Sequence, residues 1–514
     1  MLLLTDLPPE IIHHMLGYVE PQDLARIPRI CKTFYSAVKD NTTLFKRVYL
    51  NHLDEPSQGP IDWERSLKDV VRLLAICKRP NAADKKDELD FVHRTVTELL
   101  KNASTDAAPP YAMVNRRVPY SRNANLLTGA FGSESTRLAF LWRSFIYERA
   151  RAEFIEQDIS YWHGPPKPEH QKSAHLHCLY GIPQLYAYPS GTNSMLPFAC
   201  SKVYDLRQYT QKTKWGPFVD DDSMRVDWEK VEAIMIITAA NLDLLDLSTK
   251  QICENWSVAF SGPWPNSWKS PQDFSPPREP DPLELLDPYG VTGVWLRVVC
   301  FLDYTDFFGY NFGAEDQPPP HVPRPALHAG EALRLLLMTI SVTSIEEPGP
   351  EDGKGLPVVH FKGVSRGLEH LFDENSDSEL RGTVRLTPEG EVRWTTYSIF
   401  GGVERWRSES IQVGGVKSAR GVVGHWFDKD FDPRGPAGPT VFWKLSDENR
   451  PSHCADIHAS IEEALEERND SAEARYFDEI AEADMLGDMD EDSDDFGPEF
   501  IEAMLAAHGM LPQV

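Results

Sequence analysis

A chain of 514 residues, 41% hydrophobic and 11% aromatic, has material for packed cores and for roughly three domains. Lys and Arg number 52 against 79 Asp and Glu, a net charge of −27 with no basic stripe, which excludes nucleic acid and an anionic membrane surface as expected partners. The seven cysteines (31, 77, 178, 200, 253, 300 and 454) are scattered and never form C-x-x-C. They predict reduced thiols, and with them a cytoplasmic or nuclear location. The opening "MLLLTDLPPE" lacks a signal peptide's basic n-region, and no apolar run reaches the length of a membrane span.

The first predicted elements are short helices. Ile11, Ile12, Met15, Leu16 and Val19 recur at helical spacing behind Pro8-Pro9-Glu10, where proline is tolerated and an acid suits the positive helix end. A second stripe, Leu24, Ile27, Ile30, Cys31, Phe34 and Val38, is broken at Pro28 and predicts two short helices meeting there. Amphipathic helices follow over 61–78 and 84–101, a loop over 103–121, one longer helix over 133–154, and another behind an Asp227 N-cap in "RVDWEKVEAIMIITAANL". A proline-rich connection covers 261–288. The period then changes from 3.6 to 2: "GVWLRVVCFLDY", "ALRLLLMTISVTSI", "GTVRLTPEGEVRWTTYSIF", "ERWRSESIQV" and "ARGVVGHWF" predict consecutive strands with short turns, in an antiparallel barrel or sandwich. Between Glu462 and Glu502, eighteen acidic residues face only Arg468 and Arg475, a net of −16, which predicts a solvated, largely disordered tail after one helix in "IHASIEEALEE".

The segment Leu7–Phe45 carries more apolar side chains than a bundle of its size can bury internally. It also resembles the F-box. The residues that carry the likeness are Leu7, Pro8, Glu10, Ile11, Ile12, Met15-Leu16, Tyr18, Glu20-Pro21, Asp23-Leu24, Ile30-Cys31-Lys32 and Phe34, with Phe45 where the family usually has tryptophan and Ile30 where it usually has valine. The resemblance implies docking to a Skp-type adaptor and, through it, to a cullin scaffold, with Leu7, Pro8, Ile11, Ile12, Met15, Leu24, Ile27 and Ile30 as anchors. The β-rich block from Gly382 to Leu445 resembles the C-terminal part of a group of fungal F-box proteins and is similar to β-barrel substrate-binding domains of other F-box proteins.

Sites for chemistry are sparse. His163, His170, His175, His177 and Cys178 cluster without a zinc spacing, and Asp220 and Asp222 in "VDDDS" read as a turn, so no metal or cofactor is expected. No nucleophile elbow or H-E-x-x-H is present. Arg393, Arg405, Arg407 and Trp426 are the candidate substrate contacts, because arginines beside aromatic rings suit a carboxylate or a phosphorylated peptide.

The expectation is therefore an α+β chain: an F-box of three helices (1–50), a helical middle region (51–260), the proline-rich connection (261–288), an antiparallel β domain (289–446) and the acidic tail (447–514). The expected role is a non-catalytic substrate adaptor of an SCF-type ubiquitin ligase with an unknown protein substrate. The alternatives are a β-barrel enzyme or small-molecule binder, and an F-box scaffold acting outside a ligase.

Overall fold

The computed structural model describes residues 4, 7–56, 61–103, 121–154, 167–181, 194–245, 247, 250–253, 259–260, 281–313, 318–319, 322–368, 377–416, 418, 420–447, 449, 454–459 and 461–463. Residues 104–120 of the loop expected over 103–121, His163, most of the proline-rich connection and the acidic run beyond Glu463 lie outside the described residues.

The N-terminal bundle contains α1 (Pro9–Leu16), α2 (Pro21–Leu24), α3 (Lys32–Val38) and α4 (Thr42–His52), with a 3-10 turn at Ile27–Arg29 where Pro28 ends the helical path. Asn41 ties it together: its Oδ1 accepts from Leu44 N–H at 3.0 Å to cap α4, and its Nδ2 donates to Ala37 O at 2.9 Å. Helices α5 (Trp63–Cys77), α6 (Leu89–Lys101), α7 (Arg122–Ala130), α8 (Glu134–Leu141), α9 (Phe145–Phe154), α10 (Pro168–Tyr180), α11 (Leu196–Val203) and α12 (Trp228–Leu244) form the middle. The single helix expected over 133–154 is two. Ser144 ends the first and starts the second, its main-chain carbonyl accepting from Glu148 N–H at 2.9 Å while its hydroxyl donates to Glu232 at 2.8 Å. Asp227 caps α12 as expected, accepting from Glu229 N–H at 3.2 Å.

After the short α13 (Pro282–Leu285), eight antiparallel strands close into a barrel: β1 (Gly293–Leu302), β2 (Glu331–Glu346), β3 (Val358–Gly367), β4 (Ser378–Leu386), β5 (Val392–Phe400), β6 (Val403–Gln412), β7 (Val422–Asp428) and β8 (Ala437–Ser446). Each strand pairs with the next, and β1 pairs with β8 to close the ring. Helix α14 (Tyr304–Phe312) lies in the β1–β2 connection. The Pro-Glu-Gly-Glu segment turns β4 into β5, with Gly390 at φ 92°, a left-handed angle that suits glycine.

The barrel has two kinds of wall. On β4 buried and part-exposed residues alternate, one face inward and one toward solvent. Strands β1 and β8 are buried almost continuously because both faces are covered. Leu296, Val298, Val441 and Trp443 on their outer side join one apolar cluster with α12 and the N-terminal bundle, and Trp443 Nε1 donates to Ile252 O at 2.7 Å. The lumen has a second cluster around Trp295, Phe361, Trp394 and Phe442, whose rings pack edge-on or tilted at 5.1–5.8 Å.

The segment 447–514 departs from its compositional reading at its start. Residues 454–459 and 461–463 are helical, with Ile457 and Ile461 fully buried. The two isoleucines stand four apart on one helical face, enough for a short piece to pack.

Candidate functional site

Helix α1 is apolar on two sides, and the fold decides which side is core. Ile12 and Leu16 turn into the bundle beside Leu24, Phe34, Val38, Phe45 and Val48. Ile11 and Met15, one step around the helix, face solvent at 47% and 43% exposure. Ile30, at the end of the 3-10 turn, is 67% exposed. Pro8 is exposed, while Leu7 and Ile27 are half-buried. Two of the expected anchors are therefore internal: Ile12 and Leu24 are held in the bundle core. Leu4 and Tyr35 add to the exposed apolar set, and Tyr18 stands against the Arg47 guanidinium at 5.4 Å.

The barrel's arginines divide by face. Arg393 and Arg407 lie on the outer face, where Arg393 Nε donates to Glu409 Oε2 at 2.8 Å and Arg407 Nε to Oε1 at 3.0 Å. Thr395 donates to the same carboxylate, which is fully buried. Burial opposes ionisation of Glu409, and the two guanidinium groups overcome it, holding the carboxyl below its ordinary range. These two arginines are spent on an internal charge. Arg405, at the irregularity in the β5–β6 pairing, is exposed over Trp406 at 5.1 Å. Trp426 lines the inner face, T-stacked on Trp406 at 5.3 Å and donating from Nε1 to Cys300 O at 3.0 Å. So Arg405 and Trp426 come together at one end of the barrel, and Arg393 and Arg407 do not join them.

The histidines belong to the helical core. His170, His175, His177 and Cys178 are all on α10, a helix rather than a loop or strand. His177 Nδ1 and Glu232 Oε1 stand 2.6 Å apart, and the same carboxylate takes the Ser144 hydroxyl. The acid sits between serine and imidazole, so the trio joins helices and does not activate a nucleophile. His93 Nε2 and His175 Nδ1 share a hydrogen bond at 3.0 Å, and His175 stacks on Trp228 at 3.6 Å. Burial lowers both imidazoles, His93 to about 4. Asp220 accepts from Thr210, Asp221 pairs with Arg225, and among the described residues no three His, Cys, Asp or Glu side chains gather as metal ligands.

Sequence reasoning missed Arg297. It stands inside "GVWLRVVCFL", an otherwise apolar run, and an arginine there was the available signal. It is 4% exposed and lumen-facing, its Nε donating to Thr440 Oγ1 at 2.9 Å.

The F-box-like family profile matches residues 4–51, the segment that holds the two-faced α1 and the exposed Ile30. No curated protein and no solved structure matches the chain.

Proposed function

We propose that this chain is a non-catalytic substrate receptor of an SCF-type ubiquitin ligase. The observation that carries the reading is the exposed apolar surface of the F-box-like segment: Pro8, Ile11, Met15 and Ile30 face solvent while the bundle's core is already filled by other side chains. Exposed apolar side chains gathered on one small bundle mark an interaction surface, and central apolar anchors carry most of an interface's energy. The partner is a Skp-type adaptor, and through it a cullin scaffold. The continuous apolar cluster from α1 through α12 to the barrel's outer wall gives the receptor a fixed geometry between its docking end and its barrel. Holding a substrate near another subunit's ubiquitin thioester raises effective concentration, which is all the chemistry this role asks of the chain. Arg405, Trp406 and Trp426 are the substrate contacts at the barrel's rim, where an exposed guanidinium beside two rings suits an acidic or aromatic peptide segment.

The test is assembly of the purified full-length protein with adaptor, cullin and RING subunit on gel filtration. A single complex that dissolves with Ile11→Ser/Met15→Ser is expected. A folded wild-type protein that elutes alone overturns the reading, and a complex with adaptor that excludes cullin overturns its ligase part.

A further inference from the structure

The lumen of an eight-stranded barrel is wide enough either to be filled by side chains or to hold one small ligand. Here its two halves differ. Toward the β1 start, Trp295, Met338, Ile340, Phe361, Trp394 and Phe442 seal it. Toward the other end the inward residues Val299, Leu336, Trp406 and Trp426 are only half-buried, so this end of the lumen meets solvent.

Arg297 stands at the boundary. Alternation along β1 puts it on the inner face with Trp295, and Leu336 is its pairing neighbour on β2. Its Nε is engaged by Thr440, which leaves the end-on pair of Nη groups, and among the described residues no carboxylate pairs with it. Burial alone pushes this guanidinium down to about 10. A buried cation without a counter-charge is costly, and the fold elsewhere shows how such charges are handled, with Glu409 holding two arginines. A hydroxyl on β6 also lacks a partner: Ser410 Oγ is buried, unpaired, and sits between Trp394 and Gly424, the latter being the residue that pairs with Thr440. At the rim, Arg334 is exposed over Phe301 at 5.6 Å, so cationic side chains line the way in.

We propose that the open half of the barrel lumen binds a small monocarboxylate with an apolar body, its carboxylate on Arg297 and Ser410 and its body against Leu336, Trp406 and Trp426. One buried guanidinium balances one negative charge, so a monoanion fits and a phosphate dianion leaves charge in surplus. The planar Nη pair matches the two oxygens of a carboxylate. The wall above it carries Leu336 and the Trp406 and Trp426 indoles, against which an apolar body packs, while the Thr396 and Ser408 hydroxyls on the same face are spent on each other. This site shares the Trp406 and Trp426 indoles with the proposed substrate rim but stands apart from the docking surface on α1, so docking and carboxylate binding can fail separately.

The test uses full-length protein with octanoate and 4-phenylbutyrate as probes, and 1-octanol and 4-phenylbutanol as their neutral counterparts. Melting and tryptophan fluorescence report binding. Both carboxylates are expected to raise the melting point and shift the fluorescence saturably, with the alcohols weaker by more than about tenfold, the order of one charge-assisted pair. Arg297→Met removes the charge at similar length and is expected to bring carboxylate binding down to the alcohol level. Leu336→Glu supplies an internal carboxylate beside Arg297 and is expected to displace the probes to the same extent, and it decides the matter if Arg297→Met does not fold. The proposal is overturned if neither carboxylate gives a saturable change at millimolar concentration, or if carboxylate affinity is unchanged in the folded variants.

Discussion

The two ends of this molecule break the usual division of polar and apolar groups in opposite senses. The N-terminal bundle leaves Ile11, Met15 and Ile30 in water, while the barrel takes Arg297 and Glu409 out of it. An exposed aliphatic side chain costs a small domain little, so α1 can keep a surface for a partner and still fold on Ile12 and Leu16. A buried charge costs much more, and must be matched inside the protein or by something that enters. Glu409 is matched within the fold by Arg393 and Arg407, and Arg297 is not. The apolar surplus outside and the charge surplus inside both point away from self-sufficiency, one toward a protein and the other toward a small anion.

This contrast can be broken most sharply at Glu409. Glu409→Ala strands two guanidinium groups against the outer wall, and denaturant unfolding should show a loss of about 3–5 kcal/mol. A loss under about 1 kcal/mol would mean that the arginines relax to water. By contrast, Arg297→Met without ligand should stay within about 1 kcal/mol of wild type or exceed it, because it removes a charge the fold does not pair. Removing the Asn41 cap should cost the bundle about 1–2 kcal/mol in the Asn41→Ala variant, read by the same unfolding curves.

A pH dependence separates the walls further. His425, on the barrel's outer face against the Tyr209 ring, is held down to about 3 by burial and then by Lys230, and His93 to about 4 by burial and then by Lys172. In the unfolded chain these imidazoles protonate below about pH 6.5. The unfolded state then binds more protons, so stability is intact above that pH and falls as pH drops through 6.5 toward 4. Melting points between pH 7.5 and 5 should decline in wild type and decline less in His425→Asn. The smallest effect is expected on the docking face: Ile11→Ser and Met15→Ser should each change stability by less than about 0.5 kcal/mol.

Much of this architecture was legible in the sequence, and the parts that were not share a cause. The α1 and α12 helices follow from local signals, Pro9 and Asp227 at their starts, and β4 and β5 from period-2 alternation around Pro-Glu-Gly-Glu. Strands β3 and β8 were not read. Val358–Gly367 carries Gly363, whose added Cβ would lie 2.2 Å from Thr339 O, so a close backbone approach hides as a turn residue. Ala437–Ser446 begins with Ala-Gly-Pro, which also reads as a turn. Closure depends on β1 meeting β8 across some 140 residues, as in Val299 pairing with Thr440, and no local pattern specifies that. The placement of the candidate site residues was illegible for the same reason. Helix α1 is apolar on both faces, so spacing could not tell the inward Ile12 from the outward Ile11. Period-2 alternation along β6 puts Arg407 and Trp406 on opposite faces but does not tell that Glu409, two residues on, takes the Arg407 guanidinium.

The central claim is that the surplus apolar face of α1 is a docking surface. Titration calorimetry of a purified Skp-type adaptor into the full-length protein tests it most directly, beside the Ile11→Ser/Met15→Ser variant checked for an unchanged melting point. Wild type is expected to bind one-to-one and the variant to lose about a hundredfold or more, as for two anchors at the centre of an interface. No binding by the folded wild type, or equal binding by the variant, would contradict it.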